Sequence, residues 1–249
     1  MRLGVVETSV RAKCADCTIR HRAVCAQCTE DELVELERIK SYRTFRAGEP
    51  IAFAEEPLPV VGSVVRGVAM LSRMLPDGRR QMVGLLLPSD FLGRPWRPTI
   101  SYDVVASTET TFCLFRKTEF EHLLVVNPHI ERRLLEMTLD ELDAAREWML
   151  LLGRKTARER IASLFVIMAR RDALVQQRAP GEGLRFPLYI SREAMADYLG
   201  LTIETVSRQV SALSREGLIV LVADREVEVP DFARLQAESG EEPKGGLSI

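Results

Sequence analysis

The sequence predicts an α+β protein with a β-rich N-terminal half, one long helix and a C-terminal winged helix-turn-helix. Three observations carry this. Between about residues 40 and 116, short apolar runs alternate with Gly, Pro and Asp, the texture of a sandwich or barrel-like β domain. After Asn127-Pro128, Leu135, Leu142 and Met149 recur every seven residues, with Thr138 and Ala145 between them, a heptad-like stripe. Near residue 200, two helix patterns meet at Gly200 and lead into a short hairpin, the layout of a winged DNA reader.

The elements follow in order. Residues 1–28 form a Cys-rich segment. Thr29, followed by Glu30, Asp31 and Glu32, reads as a helix cap, with Leu33, Leu36 and Ile39 as the apolar face. Strands are expected at Ile51 to Phe53, Gly62 to Leu71, Gln81 to Leu87 and Thr111 to Phe115. Pro76-Asp77-Gly78 is a hairpin turn. Pro128 suits a first helical turn, where its missing N–H costs least. The long helix is expected from about His129 to Leu152, interrupted at Gly153. Its stripe of Leu135, Thr138, Leu142, Ala145 and Met149 fits a two-helix seam and therefore a homodimer. A further helix over Thr156 to Arg171 turns Ile161, Leu164, Phe165 and Met168 inward, and Gln176 to Arg185 reads as a loop. Residues 237–249 are rich in Glu, Gly and Pro and are expected to be disordered.

In the C-terminal part, Ser191 caps a helix over Arg192 to Leu199, Gly200 makes the turn, and Thr202 caps the next helix over Ile203 to Arg215. Val206, Val210 and Leu213 form the buried stripe of that second helix, leaving Glu204, Ser207, Arg208 and Ser211 on the open face. Arg208 can pair bidentately with guanine, Glu204 can accept from a cytosine amine, and Ser207 can approach a thymine methyl. Thr202, Thr205, Ser211 and Arg215 are placed to touch phosphate or set register. Leu218 to Val222 and Val227 to Val229, turning at Asp224-Arg225, make the wing. Double-stranded DNA is the partner these residues imply.

Composition narrows the setting. The chain has 249 residues, 46% of them hydrophobic, and a formal net charge of −2. It can bury a sizeable core in two domains. No stretch approaches 18 consecutive apolar residues and no apolar run sits beside the basic N-terminal residues, so a cytoplasmic location without membrane span or secretory signal is expected. Residues 146 to 173 hold seven Arg or Lys against three acids, whereas residues 185 to 216 hold four of each, so the reader itself is not strongly basic. No Asp–His–nucleophile set points to an enzyme.

Four of the five cysteines stand as Cys14-x2-Cys17-x7-Cys25-x2-Cys28. In a reducing compartment such pairs are metal ligands or redox groups more often than disulfides. Spacing alone allows a tetrahedral zinc site or an iron–sulfur cluster. Cys113 lies in an expected strand, either as a buried small side chain or as a distant ligand, in which case Cys28 is spare.

Several segments together carry a family resemblance: Cys14-Ala-Asp-Cys17, Val24-Cys25, Gly84-Leu-Leu-Leu-Pro-Ser-Asp-Phe-Leu-Gly93, Cys113, Met149-Leu-Leu-Leu-Gly-Arg-Lys, and Tyr198-Leu-Gly-Leu-Thr-Ile-Glu-Thr-Val-Ser-Arg208. From residue 10 to about 235 the chain resembles the regulators of the cyclic-AMP receptor and fumarate–nitrate reduction superfamily, in particular the anaerobic iron–sulfur branch of alphaproteobacterial type. The resemblance implies a cysteine-rich cluster-binding arm (1–28), a β-roll sensor domain of cupin-like jelly-roll type (29–127), a dimerisation helix (128–153) and a winged helix-turn-helix (154–236). It further implies an oxygen-labile [4Fe-4S] cluster held by Cys14, Cys17, Cys25 and Cys113, with Cys28 a possible alternative ligand. Also implied are recognition of TTGAT-type half-sites by Glu204, Ser207 and Arg208, and a contact with RNA polymerase around Pro76 to Arg80. Zinc is the alternative metal. Two departures stand out. The sugar-binding Glu and phosphate-binding Arg of the nucleotide branch are missing at Gly93-Arg94-Pro95-Trp96 and Ile100-Ser101-Tyr102, so no cyclic nucleotide is expected. The seam acid of some oxygen-sensitive members is Ala145 here, which implies tighter association without the cluster.

Overall fold

In this computed structural model, residues 13–181, 183–222 and 225–241 are described. The contacts divide the chain into two compact units, one through Thr138 and one from Leu139.

The first unit opens with a single helical turn at Cys14–Asp16. Helix α1 (Glu30–Ile39) follows, fixed by a complete capping box: the Thr29 side chain accepts from the Glu32 N–H, and the Glu32 carboxylate accepts from the Thr29 N–H. Leu33 and Leu36 are the buried face, as their spacing predicts. Eight strands then build two four-stranded sheets: β1 (Lys40–Phe45), β2 (Pro50–Ala52), β3 (Val60–Arg66), β4 (Ala69–Met74), β5 (Arg80–Leu86), β6 (Phe91–Leu92), β7 (Asp103–Ala106) and β8 (Thr110–Arg116). One sheet has the order β1-β8-β3-β6, the other β2-β7-β4-β5. The apolar run at Gly62 to Leu71 is two strands, divided at Gly67-Val68, and the Pro76-Asp77-Gly78 turn joins β4 to β5. Strands β1, β6 and β7 have no run that announces them. β1 reads Lys-Ser-Tyr-Arg-Thr-Phe and is held by pairing to β8 along its whole length.

Between the sheets, Phe45, Val64, Leu71, Leu92, Val104 and Phe112 form a closed apolar core. A second core lies on the outer side of the β1-β8-β3-β6 sheet, where α1 and helix α2 (Lys117–Val126) cover it. Phe115 stacks on Phe120 with ring centroids 5.3 Å apart. Helix α2 is an addition to the expected elements. The long helix α3 (Pro128–Arg154) runs unbroken through Gly153 and stops only before Lys155. Gly153 does not interrupt it: a helix of 27 residues tolerates one glycine at a cost of about 1 kcal/mol.

In the second unit, α4 (Ala157–Val175) starts with a capping box at Thr156 and Glu159. Strand β9 (Leu184–Pro187) begins in the last two residues of the segment expected as loop and makes the wing a three-stranded sheet, β10-β11-β9, with β10 (Val220–Val222) and β11 (Glu226–Val229). Asp224 of the expected wing turn lies outside the described residues. Helices α5 (Arg192–Leu199) and α6 (Ile203–Arg215) take the expected positions and caps. Residues 237–241, expected to be disordered, are ordered instead. Helix α7 (Phe232–Glu238) packs on α4, and the Glu241 carboxylate pairs with Arg170 at 3.0 Å. Residues 242–249 lie outside the described residues.

Gly62 marks the tightest strand contact. A Cβ at this position would stand 2.0 Å from the Cys113 carbonyl oxygen, far inside any real contact. The expected outcome for Gly62→Ala is a loss of about 1–3 kcal/mol or more, read as a lower midpoint in urea unfolding; an unchanged midpoint would contradict the close approach of β3 and β8.

Candidate functional site

The cysteines meet through sheet topology. Cys113 sits on β8, directly opposite Tyr42 on β1 and Ser63 on β3. Residues paired in this way point to the same face of a sheet. The face is the outer one, under the N-terminal arm, and there a cavity of about 370 Å³, counting its open side, is lined by Cys14, Cys17, Cys25 and Cys113 together with Tyr42 and Ser63. The rest of the wall is apolar, including Ile19, Val24, Leu36 and Phe115. Cys28 does not line it. That side chain is 6% exposed within the second apolar core, and its N–H donates to the Cys25 carbonyl at 3.2 Å. All five thiols are free of disulfides.

The electrostatics of the four thiols are shared. Burial pushes Cys25 up to about 11, and the neighbouring Cys17 and Cys14 add to the shift. Cys113 is pushed higher still, first by burial and then by Cys14, Cys25 and Cys17. Tyr42 is raised by burial and by the same four sulfurs. Cys28 is raised to about 12, chiefly by burial. Thiols at Cys14, Cys25 and Cys113 that resist becoming thiolates have a common remedy, a positive centre among them. Soft sulfur donors suit zinc or an iron–sulfur cluster, so the donor set fits the expected group. Among the described residues, no three His, Cys, Asp or Glu side chains are arranged around one ion position.

A polar brace, absent from the expected site, holds Cys14. The Glu37 carboxylate accepts the Cys14 backbone N–H at 2.6 Å, and Lys40 donates to the Cys14 sulfur at 3.2 Å while standing 3.6 Å from Glu37. The Cys14 N–H holds the Glu37 carboxyl below its usual range. Burial raises the Cys14 thiol, and Lys40 opposes that shift. Lys40, Glu37, Tyr42 and Ser63 were not legible as site residues. Their only signal is register and helix phase relative to two cysteines far apart in sequence.

The arm is tied to the start of α3. Arg133 donates to the Arg22 carbonyl at 2.7 Å, His129 lies 3.0 Å from the Glu32 carboxylate, and Ile130, Leu134 and Met137 pack into the same core as Cys14 and Cys113. Further along α3, the predicted seam residues Leu135, Leu142 and Met149 are 57%, 46% and 73% exposed, and Thr138 and Ala145 are exposed between them.

The reader is built as its sequence implies. Gly200 takes φ 62° between α5 and α6, a left-handed turn that favours glycine. Thr202 caps α6 through the Thr205 N–H. Val206, Val210 and Leu213 are buried, while Glu204, Ser207, Arg208 and Ser211 are exposed and Thr205 is half-buried. The Glu204 backbone N–H and the Thr202 hydroxyl hold the Glu204 carboxyl below its usual range, so it is an ionised acceptor at neutral pH. Behind α5, Trp148 stacks on Tyr198 with centroids 3.7 Å apart, and Arg160 donates to the carbonyls of Leu152, Lys155 and Leu199.

Comparison with known proteins fits this arrangement. Residues 159–238 match the family model of the Crp-like helix-turn-helix domain, and residues 42–127 that of the cyclic nucleotide-binding domain. The chain is 58% identical to the transcriptional activator protein FnrL of Cereibacter sphaeroides over 237 residues, 95% of this chain and 96% of that one. The chain belongs to the Crp/Fnr family of transcription regulators. It is also 38% identical to the nitrogen fixation regulation protein FixK of Bradyrhizobium diazoefficiens, covering 90% and 92% of the two chains. The solved structure of FixK2 from Bradyrhizobium japonicum superposes with a TM-score of 0.72 at 32% identity, covering 82% of this chain and 99% of that one. Members of the Crp/Fnr family are regulators rather than enzymes.

Removing the Lys40 ammonium takes away the group that opposes the burial shift on Cys14. In cluster-free protein, Lys40→Met is therefore expected to move the pH profile of Cys14 alkylation to higher pH, so that Cys14 reacts more slowly at a fixed pH. Peptide mass spectrometry across a pH series reads this, and a midpoint that stays or falls would contradict the brace.

Proposed function

We propose that this protein is a cytoplasmic, oxygen-responsive transcription activator that binds palindromic TTGAT-type DNA as a homodimer. In this reading its DNA-binding form depends on a [4Fe-4S] cluster held by Cys14, Cys17, Cys25 and Cys113. The observation that carries the reading is the single cavity where four thiols converge from the arm and from β8, in a chain 58% identical to the activator FnrL. The cluster, when bound, supplies the positive, oxygen-labile centre that four buried thiolates need.

The chain's own residues do the rest. Cys14, Cys17 and Cys25 fasten the arm to Cys113 on the sheet, and the fastened arm holds α3 through Arg133, Glu32 and the shared apolar core. This steadies the helix whose exposed stripe of Leu135, Thr138, Leu142, Ala145 and Met149 pairs with a second copy. Pairing presents two α6 helices to successive major grooves. Arg208, Glu204 and Ser207 read bases there, while Thr202, Thr205 and Ser211 contact the backbone. When the four thiols lose their common partner in air, the arm is released, the seam loosens and the paired affinity for DNA falls. The exposed tip between β4 and β5, with Arg79, supports the proposed contact with RNA polymerase. The roll interior is filled by side chains. At Gly93-Arg94-Pro95-Trp96, the Trp96 N–H donates to Glu121 at 2.6 Å, and no Glu or Arg stands where the nucleotide branch has them. Both features support a roll that does not take cyclic nucleotide.

Protein purified without oxygen is expected to be brown, to contain iron and acid-labile sulfide in equal amounts, and to bleach in air. Cys113→Ser should lose the iron and Cys28→Ser should keep it. A colourless protein carrying zinc would overturn the cluster reading in favour of a structural metal. Arg208→Ala is expected to cost about 1–3 kcal/mol per half-site in titrations of a palindromic duplex, and equal affinity for specific and scrambled duplexes in the native protein would sink the reader assignment.

The seam carries no like-charge pair at Ala145, and two buried acids there would oppose pairing. The cluster-free protein is therefore expected to remain largely dimeric at micromolar concentration in analytical ultracentrifugation, and Leu142→Glu to make it monomeric.

A further inference from the structure

Ser63 is the one non-sulfur, non-aromatic polar side chain on the wall of the thiol cavity. It is 2% exposed, and its Oγ has no hydrogen-bond partner among the described residues. It stands on β3 directly opposite Cys113, while Tyr42 stands opposite Cys113 on the other side. The neighbouring wall is apolar, and Val61, two residues before Ser63 on the same face of the strand, is fully buried. A buried hydroxyl without a partner is unfavourable, and native interiors rarely carry one without a reason. Here the hydroxyl opens into the space where four thiols meet. A hydroxyl can donate one hydrogen bond, and thiolate or sulfide sulfur is the acceptor the cavity would offer once loaded.

We propose that Ser63 donates a hydrogen bond to a sulfur of the bound cluster, either the Cys113 thiolate or an inorganic sulfide, and thereby lengthens the cluster's life in air. This rests on the cluster reading above and adds a residue that sets how oxygen-sensitive the protein is. The physical basis is general. A hydrogen bond withdraws electron density from a cluster sulfur, and such bonds are among the factors that set the potential of iron–sulfur centres. Lys40 donates to the Cys14 sulfur, whereas Ser63 stands opposite Cys113 on the neighbouring strand.

The test compares native protein with Ser63→Ala, both loaded without oxygen and then exposed to air-saturated buffer. Iron and sulfide per chain are expected to match at the start. The visible absorption of Ser63→Ala should then decay about fivefold faster, the factor corresponding to one ordinary hydrogen bond. Its iron–sulfur stretching bands in resonance Raman should shift from the native positions. The pair Ser63→Thr and Ser63→Val provides the control for shape, since the two side chains differ only in carrying or lacking the hydroxyl. The Thr variant should outlast the Val variant. Equal lifetimes and unmoved bands in native and Ala protein, or equal lifetimes in the Thr and Val variants, would overturn the role of Ser63 while leaving the cluster in place. Native protein without iron would overturn both.

Discussion

The pairing of β8 between β1 and β3 is the constraint on which the rest depends. Cys113 is separated from Cys25 by 87 intervening residues, and the sheet order β1-β8-β3-β6 brings it under the arm. Its neighbours are dictated by the same pairing: Tyr42 on one side, Ser63 on the other, and Gly62 where β3 must approach the Cys113 carbonyl without a side chain. The site is therefore a property of strand register. A slip of one residue would turn Cys113 to the opposite face of the sheet, into the apolar core between the sheets.

The same gathering of thiols opposes itself unless something positive joins them. Each thiol that ionises does so in a buried setting and close to others of its kind, which is why Cys25 and Cys113 are held so far toward the protonated form. Lys40 relieves a part of this at Cys14, to whose sulfur it donates, and at Cys113. Folding thus produces a pocket of sulfur donors held toward the neutral thiol form, and hydrogen bonds among the arm, α1 and α3 keep that pocket assembled at its edges.

How much could be read in advance varied with how local the information is. The two halves of the reader were legible to the residue, because Ser191, Gly200 and Thr202 are caps and a turn whose chemistry acts over three or four positions. The long helix that carries the heptad stripe was legible from its periodicity and from Pro128 at its start. Strand β1 was not: Lys-Ser-Tyr-Arg-Thr-Phe has no clear alternation, and its pairing to β8 decides its state. Helix α2 was hidden because no side chain caps its start, and strand β9 because it is four residues long and follows a segment rich in Pro and Gly. Gly153 misled, since one glycine near the end of a long helix is tolerated, and so did the polar composition after residue 236, where α7 and Glu241 find partners on α4. At the candidate site, spacing drew attention to the cysteines without choosing between Cys28 and Cys113, and only the folded sheet sets Cys113 beside Cys14, Cys17 and Cys25; Ser63 and Lys40 carry no signature outside that sheet.

Arg160 and Trp148 secure the far end of α3. A single guanidinium caps the last carbonyls of that helix and grips the end of α5, and an indole lies flat on Tyr198. The reader is thus bolted to its stem rather than hung from it. Since each residue of an α-helix turns the chain by about 100°, the stem acts as an angular gauge: lengthening or shortening it by one residue between Leu142 and Trp148 would swing α5 and α6 a quarter-turn or more relative to the exposed Leu142, so the count of residues in that stretch sets the direction in which the recognition helix faces.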